Sequence, residues 1–132
     1  MLLKIVTPER IVVEEEVEAI YCKTTDGEIG ILQNHIPLVT PLEIGVLSYV
    51  KEGKKHPLAV MGGLLNTDGK RITVLSDVAE LGNEIDTARA QEAKARAEAK
   101  LKAKKDRSEV TTAQKALARA LVRLKLAETS SR

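Results

Sequence analysis

The sequence predicts an α+β fold, in which an antiparallel β-sandwich (a flattened barrel) over residues 1–84 precedes an antiparallel two-helix hairpin over residues 85–132. All eight glycines and all four prolines precede Asn83, so the strong helix breakers are confined to the first segment. The second segment consists mainly of Ala, Lys, Arg, Glu and Leu, which are the strongest helix formers. The boundary falls beside Gly82-Asn83, a turn dipeptide.

The first segment contains short runs rich in β-branched residues, separated by turn signals. Such spacing is typical of an antiparallel sandwich or barrel. Cys22 alternates inward with Ile20, which predicts a small core residue. The predicted strands cover residues 2–7, 10–13, 17–25, 29–32, 44–51, 58–61 and 71–75. The predicted turns lie at Pro8-Glu9, Asp26-Gly27, Glu52-Gly53, Gly62-Gly63 and Asp68-Gly69.

The second segment predicts two helices. Asp86 is suited to cap the first helix, which should run from residue 87 to about 104. Residues 105–108 interrupt the pattern, and Ser108 is able to cap a second helix that ends near residue 128. The second helix carries one narrow apolar seam, formed by Val110, Ala113, Leu117, Ala120, Leu124 and Ala127. The first helix offers mostly alanines to it, at Ala90, Ala93, Ala97 and Leu101, so we expect a hairpin that opens at low cost.

Composition narrows the classes of function. Aromatic residues make up only 2% of the chain, which argues against RNA or single-strand binding by base stacking. Cys22 is the only cysteine, so no internal disulfide can form. Neither a signal peptide nor a long apolar run is visible, and we expect a soluble, cytoplasmic protein. Residues 1–84 contain eight Lys/Arg and thirteen Asp/Glu, whereas residues 85–132 contain thirteen and six, so the two halves should have different roles.

The residues do not assemble a recognisable catalytic set. The glycine pairs lack the lysine and the strand-to-helix setting of a phosphate-binding loop. His35 and His56 have no paired ligand spacing for zinc, and one cysteine with two histidines supports no nucleophilic triad. We therefore expect no metal, no required cofactor and no enzymatic activity of the chain itself.

One segment, from Asp26 to Leu38, has a more specific pattern. Two turns flank a short strand, and we expect them to present Glu28 and His35 near one end of the sandwich. The pattern D-G-x-I-G-I-L-x-N-H-x-P-L resembles the signature of the epsilon subunits of F-type ATP synthases of bacterial and chloroplast type. The resemblance continues through residues 61–64, 72–80 and 85–90. Gln33 departs from it, because the family usually has proline there.

The resemblance implies a coupling subunit at the foot of a rotating central stalk. The sandwich would bind the gamma subunit, and the loop that contains Glu28 would face the proton-driven c-ring, below the alpha/beta catalytic head. Glu28 as a merely solvated turn carboxylate is an equally open interpretation. The resemblance further implies a peripheral location on the cytoplasmic face of the inner membrane, or on a thylakoid membrane, without insertion into the bilayer. The implied ring and gamma contacts are Asp26, Gly27, Glu28, Gln33 and His35.

Two regulatory roles of the hairpin are also implied. In bacterial relatives it can extend and block ATP hydrolysis by pressing on the catalytic beta subunits, and a basic row suits that contact: Lys115, Arg119 and Arg123. An ordinary solvated basic face is the alternative. Residues 85–90 also resemble a motif with which some epsilon subunits bind ATP as a regulatory ligand, and the candidate residues are Glu80, Asp86, Arg89, Arg119 and Arg123. A purely structural role, with Asp86 as a cap and Arg89 paired to a carboxylate, stays equally open.

Other classes of function compete with this interpretation. The runner-up interpretation is a protein whose basic tail binds nucleic-acid backbones. The apolar seam argues against it, because a tail that only binds phosphates needs no such seam. A small hydrolase is the third class, and it lacks any assembled base, nucleophile or metal set.

Overall fold

The computed structural model describes residues 1–103 and 106–130, and it divides the chain into two compact units, Met1–Leu81 and Gly82–Arg132. The first unit is built from strands. They are β1 (Leu2–Val6), β2 (Ile11–Glu16), β3 (Ala19–Thr24), β4 (Gly27–Leu32), β5 (Leu38–Lys51), β6 (Lys54–Thr67), β7 (Arg71–Leu75) and β8 (Ala79–Leu81).

The strands follow the order β2-β1-β7-β6-β5-β3-β4, and β8 pairs with β6. The pairing is antiparallel except between β1 and β7, which run parallel. The predicted sandwich is confirmed, with this one parallel pair as the difference. The short strand β8 was not predicted, because three residues are too few to show an alternating pattern.

Strands β5 and β6 are much longer than predicted, at 14 residues each. Pro41 does not end β5, because residues 38–41 pair with β6 alone in the observed register and no neighbour on the other side needs the missing N–H. Gly62 and Gly63 have φ of 79° and 128°, which bends β6 without ending it, so the predicted turn there is wrong. Beyond the bend β6 pairs with β7, and before it with β8.

An aliphatic core lies inside the sandwich. Its buried side chains alternate along β1 and β7, as the period of two requires, whereas β6 buries three consecutive residues, Leu58, Ala59 and Val60. Cys22 is 5% exposed and joins the core, as predicted. The residues that are wholly inaccessible include Leu3, Ile5, Ile20, Ile31, Leu58, Leu65, Ile72 and Val74.

The second unit begins with a 3₁₀ turn at Gly82–Glu84, followed by α1 (Thr87–Lys102) and α2 (Arg107–Ser130). Asp86 caps α1, because its Oδ1 accepts a hydrogen bond from the Arg89 N–H at 3.1 Å. Ser108 is not the cap of α2. Asp106 takes that position, and its Oδ1 accepts from the Glu109 N–H at 2.9 Å. Lys104 and Lys105, which belong to the predicted helix end and interruption, lie outside the described residues.

The two helices pack through small side chains. Ala90 and Ala97 of α1 and Ala113 and Ala120 of α2 are at most 3% exposed, which confirms the seam at these positions. The predicted seam does not include every buried residue of α2. Leu126 is only 1% exposed although its position on the helix lies away from the seam, and α2 contacts the 3₁₀ turn as well as α1.

A groove of about 570 Å³ lies between the helices toward their connection. Most of its wall is alanine. At each of these positions the side chain is only a methyl group, and larger side chains would fill the space. We call this the alanine groove. Its lining residues are Ala93, Arg96, Ala97, Ala99, Lys100, Ala103, Ser108, Glu109, Thr112, Ala113 and Ala116.

Candidate functional site

The turn between β3 and β4 presents the first group of predicted site residues. Thr24 organises it from a buried position, since its Oγ1 donates to the Gly27 carbonyl at 2.8 Å and accepts from the Asp26 N–H at 3.1 Å. Asp26, Gly27 and Glu28 are all exposed. Glu28 lies opposite Lys23 on β3, and the turn therefore offers two carboxylates to solvent on a fixed backbone.

The second group lies in a loop over residues 33–37, which we call the His35 loop. Gln33 is exposed and His35 is half-buried. The His35 N–H donates to the Leu32 carbonyl at 3.1 Å, and Nδ1 lies 2.7 Å from the Ile36 carbonyl, so Nδ1 carries the proton in this contact.

The structure does not bring Glu28 and His35 to one end of the sandwich, and the expectation that they lie together is wrong. Gly27 begins β4 beside Thr24, whereas Leu32 ends it beside Ala19. A six-residue strand separates its two ends by about 16 Å. The two turns therefore form two separate surfaces, one with Glu28 and the other with His35.

A further surface was not predicted from the sequence. Five outward-facing apolar residues stand in one transverse line across β2, β1, β7, β6 and β5, because each is the register partner of the next. Three of them are markedly exposed, with Ile11 at 50%, Leu75 at 51% and Leu64 at 41%. We call this line the apolar row: Ile11, Val6, Leu75, Leu64 and Pro41. Only the strand register reveals it, because its members are scattered along the chain.

The hairpin unit holds most of the residues predicted for regulation. Lys115 and Arg119 are exposed on α2, while Arg123 is half-buried. Asp86 and Arg89 lie at the start of α1, and because the hairpin is antiparallel they lie at the same end as Arg123. Glu80 belongs to the other unit, where it is half-buried in β8 opposite Ala59.

His56 and Cys22, the remaining candidate groups for chemistry, have structural roles in the sandwich. The His56 ring stacks on Tyr49, its partner across β5 and β6, with 5.0 Å between centroids. Burial raises the pKa of the Cys22 thiol to about 11. Within the described part of the chain, no three His, Cys, Asp or Glu side chains are grouped to hold a metal ion, and no helix is long and apolar enough to cross a bilayer.

Family models match almost the whole chain. Residues 1–82 match the β-sandwich domain of the ATP synthase delta/epsilon chain, and residues 83–128 match its long α-helix domain. The chain belongs to the ATP synthase epsilon family.

Individual epsilon chains are similar over nearly their full length. The ATP synthase epsilon chain of Symbiobacterium thermophilum is 48% identical over 128 residues, which cover 96% of this chain and 92% of that protein. The epsilon chain of Caldicellulosiruptor bescii is 47% identical over 126 residues, with the same coverage of 96% and 92%. The prediction of a non-catalytic epsilon subunit of ATP synthase is confirmed.

Solved structures of ATP synthases contain chains with a similar fold. A chain in the cryo-EM structure of the Euglena gracilis mitochondrial ATP synthase, which contains OSCP, F1 and the c-ring, has a TM-score of 0.80 and 26% identity over 98% of this chain and 80% of that chain. A chain from the central stalk and c-ring structure of the Tetrahymena thermophila mitochondrial ATP synthase has a TM-score of 0.60 at 12% identity, over 99% and 96% of the two chains, and shows the same fold.

Proposed function

We propose that this epsilon subunit couples the c-ring to the gamma subunit through two separate surfaces of its sandwich. The observation that carries the proposal is the separation of the carboxylate turn from the His35 loop, which lie at opposite ends of β4. A subunit that transmits torque between two partners needs two such surfaces on one rigid body. The buried aliphatic core and the continuous strand ladder provide that rigidity.

The chemistry of each surface suits a different partner. Exposed apolar residues in a contiguous line are typical of a protein interface that excludes water, so we assign the apolar row and the His35 loop to the gamma subunit. Asp26 and Glu28 carry charges that resist burial in an apolar contact. We therefore assign residues 26–28 to the polar loops of the c-ring. Under this proposal the subunit is peripheral, on the cytoplasmic face of the inner membrane or on a thylakoid membrane.

Cysteine crosslinking in the assembled enzyme tests this assignment. Glu28→Cys should crosslink to cysteines placed in the ring loops, because the turn faces them. Glu52→Cys is the matched control, since Glu52 is also an exposed turn glutamate but lies beyond the Val50–Ala19 pair at the other end of β3. The native Cys22 does not interfere, because it is buried and its thiol pKa is raised. Equal crosslinking yields at positions 28 and 52, or none at position 28, would contradict the assignment.

We further propose that the hairpin inhibits ATP hydrolysis by contact with acidic segments of the beta subunits. The basic row is supported by charge, since Lys115, Arg119 and Arg123 recur every four residues with no carboxylate between Val110 and Ala127. The triple alanine variant should raise the ATPase rate of the assembled enzyme. A control triple variant at Lys94, Lys102 and Arg107, which lie outside the alanine groove, removes the same charge from the hairpin and should leave the rate unchanged. Unaltered hydrolysis in the first variant would contradict the proposal.

We propose that ATP is a regulatory ligand, and that it binds the subunit while its hairpin is closed. Support comes from the shared end of the hairpin at which Asp86, Arg89 and Arg123 lie, with Arg119 one turn away, because guanidinium groups recognise phosphates through charge-assisted hydrogen bonds. Glu80 is the fifth candidate. Calorimetric titration of the full chain with ATP should show saturable binding that Arg89→Ala and Arg119→Ala weaken. No saturation at millimolar ATP would remove this ligand, and the structural role of Asp86 as a helix cap would stand alone.

A further inference from the structure

The His35 loop is attached to the turn between β6 and β7. The Asn34 N–H donates to the Gly69 carbonyl at 3.0 Å, so a backbone hydrogen bond joins the loop to a turn 35 positions further along the chain. Asn34 has a φ of 68°, in the left-handed region that asparagine tolerates better than most residues. The loop is therefore held by backbone geometry at one specific point.

Gly69 makes this close approach feasible. Its φ is 93°, and a Cβ at this position would stand 2.7 Å from the His35 carbonyl oxygen. That distance is too short for a real contact, and the atom it meets is backbone, so the loop would have to move. A glycine is thus required by conformation and by contact at the same residue.

The turn that holds Gly69 is itself well anchored. The Gly69 N–H donates to Oγ1 of Thr67, which is 2% exposed, at 3.1 Å. The N–H groups of Lys70 and Arg71 donate to Oδ1 of Asp68 at 2.9 and 2.8 Å. These bonds lower the pKa of the Asp68 carboxyl, that from Lys70 first. Because these hydrogen bonds fix the turn, the loop that is bonded to it is fixed as well.

The loop held in this way displays apolar side chains. Ile36 is 75% exposed, while Leu32 just before the loop and Val39, two residues after it, are 57% and 61% exposed. A mobile loop with such a tip would lose conformational entropy on binding a partner. A loop already set in place avoids much of that loss.

We propose that Gly69 is a positioning residue, which holds the His35 loop in the conformation that the gamma subunit binds. This inference rests on the proposed function, which assigns the loop to gamma. Gly69 acts through the loop and does not itself need to contact the partner. It lies outside the residues that the sequence pattern singled out for binding, and its role follows from the contact with Asn34 and His35.

Gly69→Ala and Gly53→Ala are a matched pair for testing it. Gly53 has a φ of 75° in another turn, but a Cβ there would meet nothing within 4 Å, so the same substitution imposes backbone strain without displacing the His35 loop. In the full chain, we expect Gly69→Ala to lower the hydrogen-exchange protection of the Asn34 amide and to weaken binding to purified gamma subunit by about tenfold, against about twofold or less for Gly53→Ala.

A second pair of variants addresses the loop from its own side. Asn34→Gly permits the left-handed backbone and should keep gamma affinity within about threefold of the natural chain, whereas Asn34→Ala opposes that backbone and should lose more. This pair stays informative if Gly69→Ala fails to fold.

The results separate the inference from the proposed function. Unchanged hydrogen-exchange protection of the Asn34 amide in Gly69→Ala would show that Gly69 does not hold the His35 loop in place. Lost protection with unchanged gamma affinity, or equal losses in both members of each pair, would overturn the positioning role. If the natural chain fails to bind gamma, the proposed function fails, and the exchange measurement shows independently whether Gly69 holds the loop.

Discussion

The alanine groove makes the hairpin's strength adjustable by substitution. Ala93 and Ala116 line it from opposite helices and are half-buried, so leucine at both positions would place six additional carbon atoms in a space of about 570 Å³. Each fully buried methylene contributes about 0.8 kcal/mol, and at half burial the pair contributes about half of the full sum. Ordering each leucine costs about 0.5–1 kcal/mol. The closed hairpin should therefore gain about 1 kcal/mol.

Amide hydrogen exchange along α1 and α2 measures this gain. A stabilisation of about 1 kcal/mol raises protection roughly fivefold wherever exchange requires the hairpin to open. The control is Ala95→Leu with Gln114→Leu, which places one leucine on each helix at exposed positions outside the groove and should change protection less than twofold. An equal rise in the control, or a fall in the Ala93→Leu/Ala116→Leu variant, would refute the reasoning from the groove.

The same double variant addresses regulation. If the two helices must separate before the hairpin inhibits, a more stable closed hairpin lowers the open population by the same factor of about five. Hydrolysis by the assembled enzyme should then be less inhibited. Inhibition at the natural level, together with raised protection, would show that opening is not required.

Three further predictions concern single groups. Asp86→Ala should lower the stability of the helical unit by about 1 kcal/mol through loss of the cap, and Asp86→Asn by much less, as measured by thermal unfolding at 222 nm. The pKa of the Asp68 carboxyl, measured by NMR, should lie below the usual value of about 3.9. Its contribution to the free energy of unfolding is therefore fully present above about pH 3.9 and is lost as the pH falls through the lower pKa of the folded state. Asp68→Asn should lack this contribution. Cys22 should resist thiol reagents at pH 8 in the folded chain; because its folded pKa is raised to about 11, stability should fall as the pH rises from the unfolded thiol pKa of about 8.5 toward that value.

The sequence correctly predicted the features that depend on interactions between residues close together in the chain. The alternation around Cys22, the cap at Asp86 and the helical spacing of Ala113 and Ala120 all follow from neighbours within a few residues, and the structure confirms them. Asp106 and Ser108 are both good capping residues two positions apart, and the sequence does not show which of them begins the helix.

Long-range pairing explains most of the differences. The predicted strand began only at residue 44 and Gly62-Gly63 was predicted as a turn, but the full-length pairing of β5 with β6 overrides these local signals. The separation of Glu28 from His35 depends on the direction of β4 between them. The burial of Leu126 and the contact of Gly69 with the His35 loop also need three-dimensional packing, which no spacing along the chain indicates.

The apolar row has a consequence for assembly. Its members come from positions 6, 11, 41, 64 and 75, and they align only after five strands have reached their final register. A chain that has folded only one hairpin, or that has slipped by one residue, turns part of the row to the opposite side. If gamma binds the row, as proposed, only subunits that have finished folding present the complete interface to it.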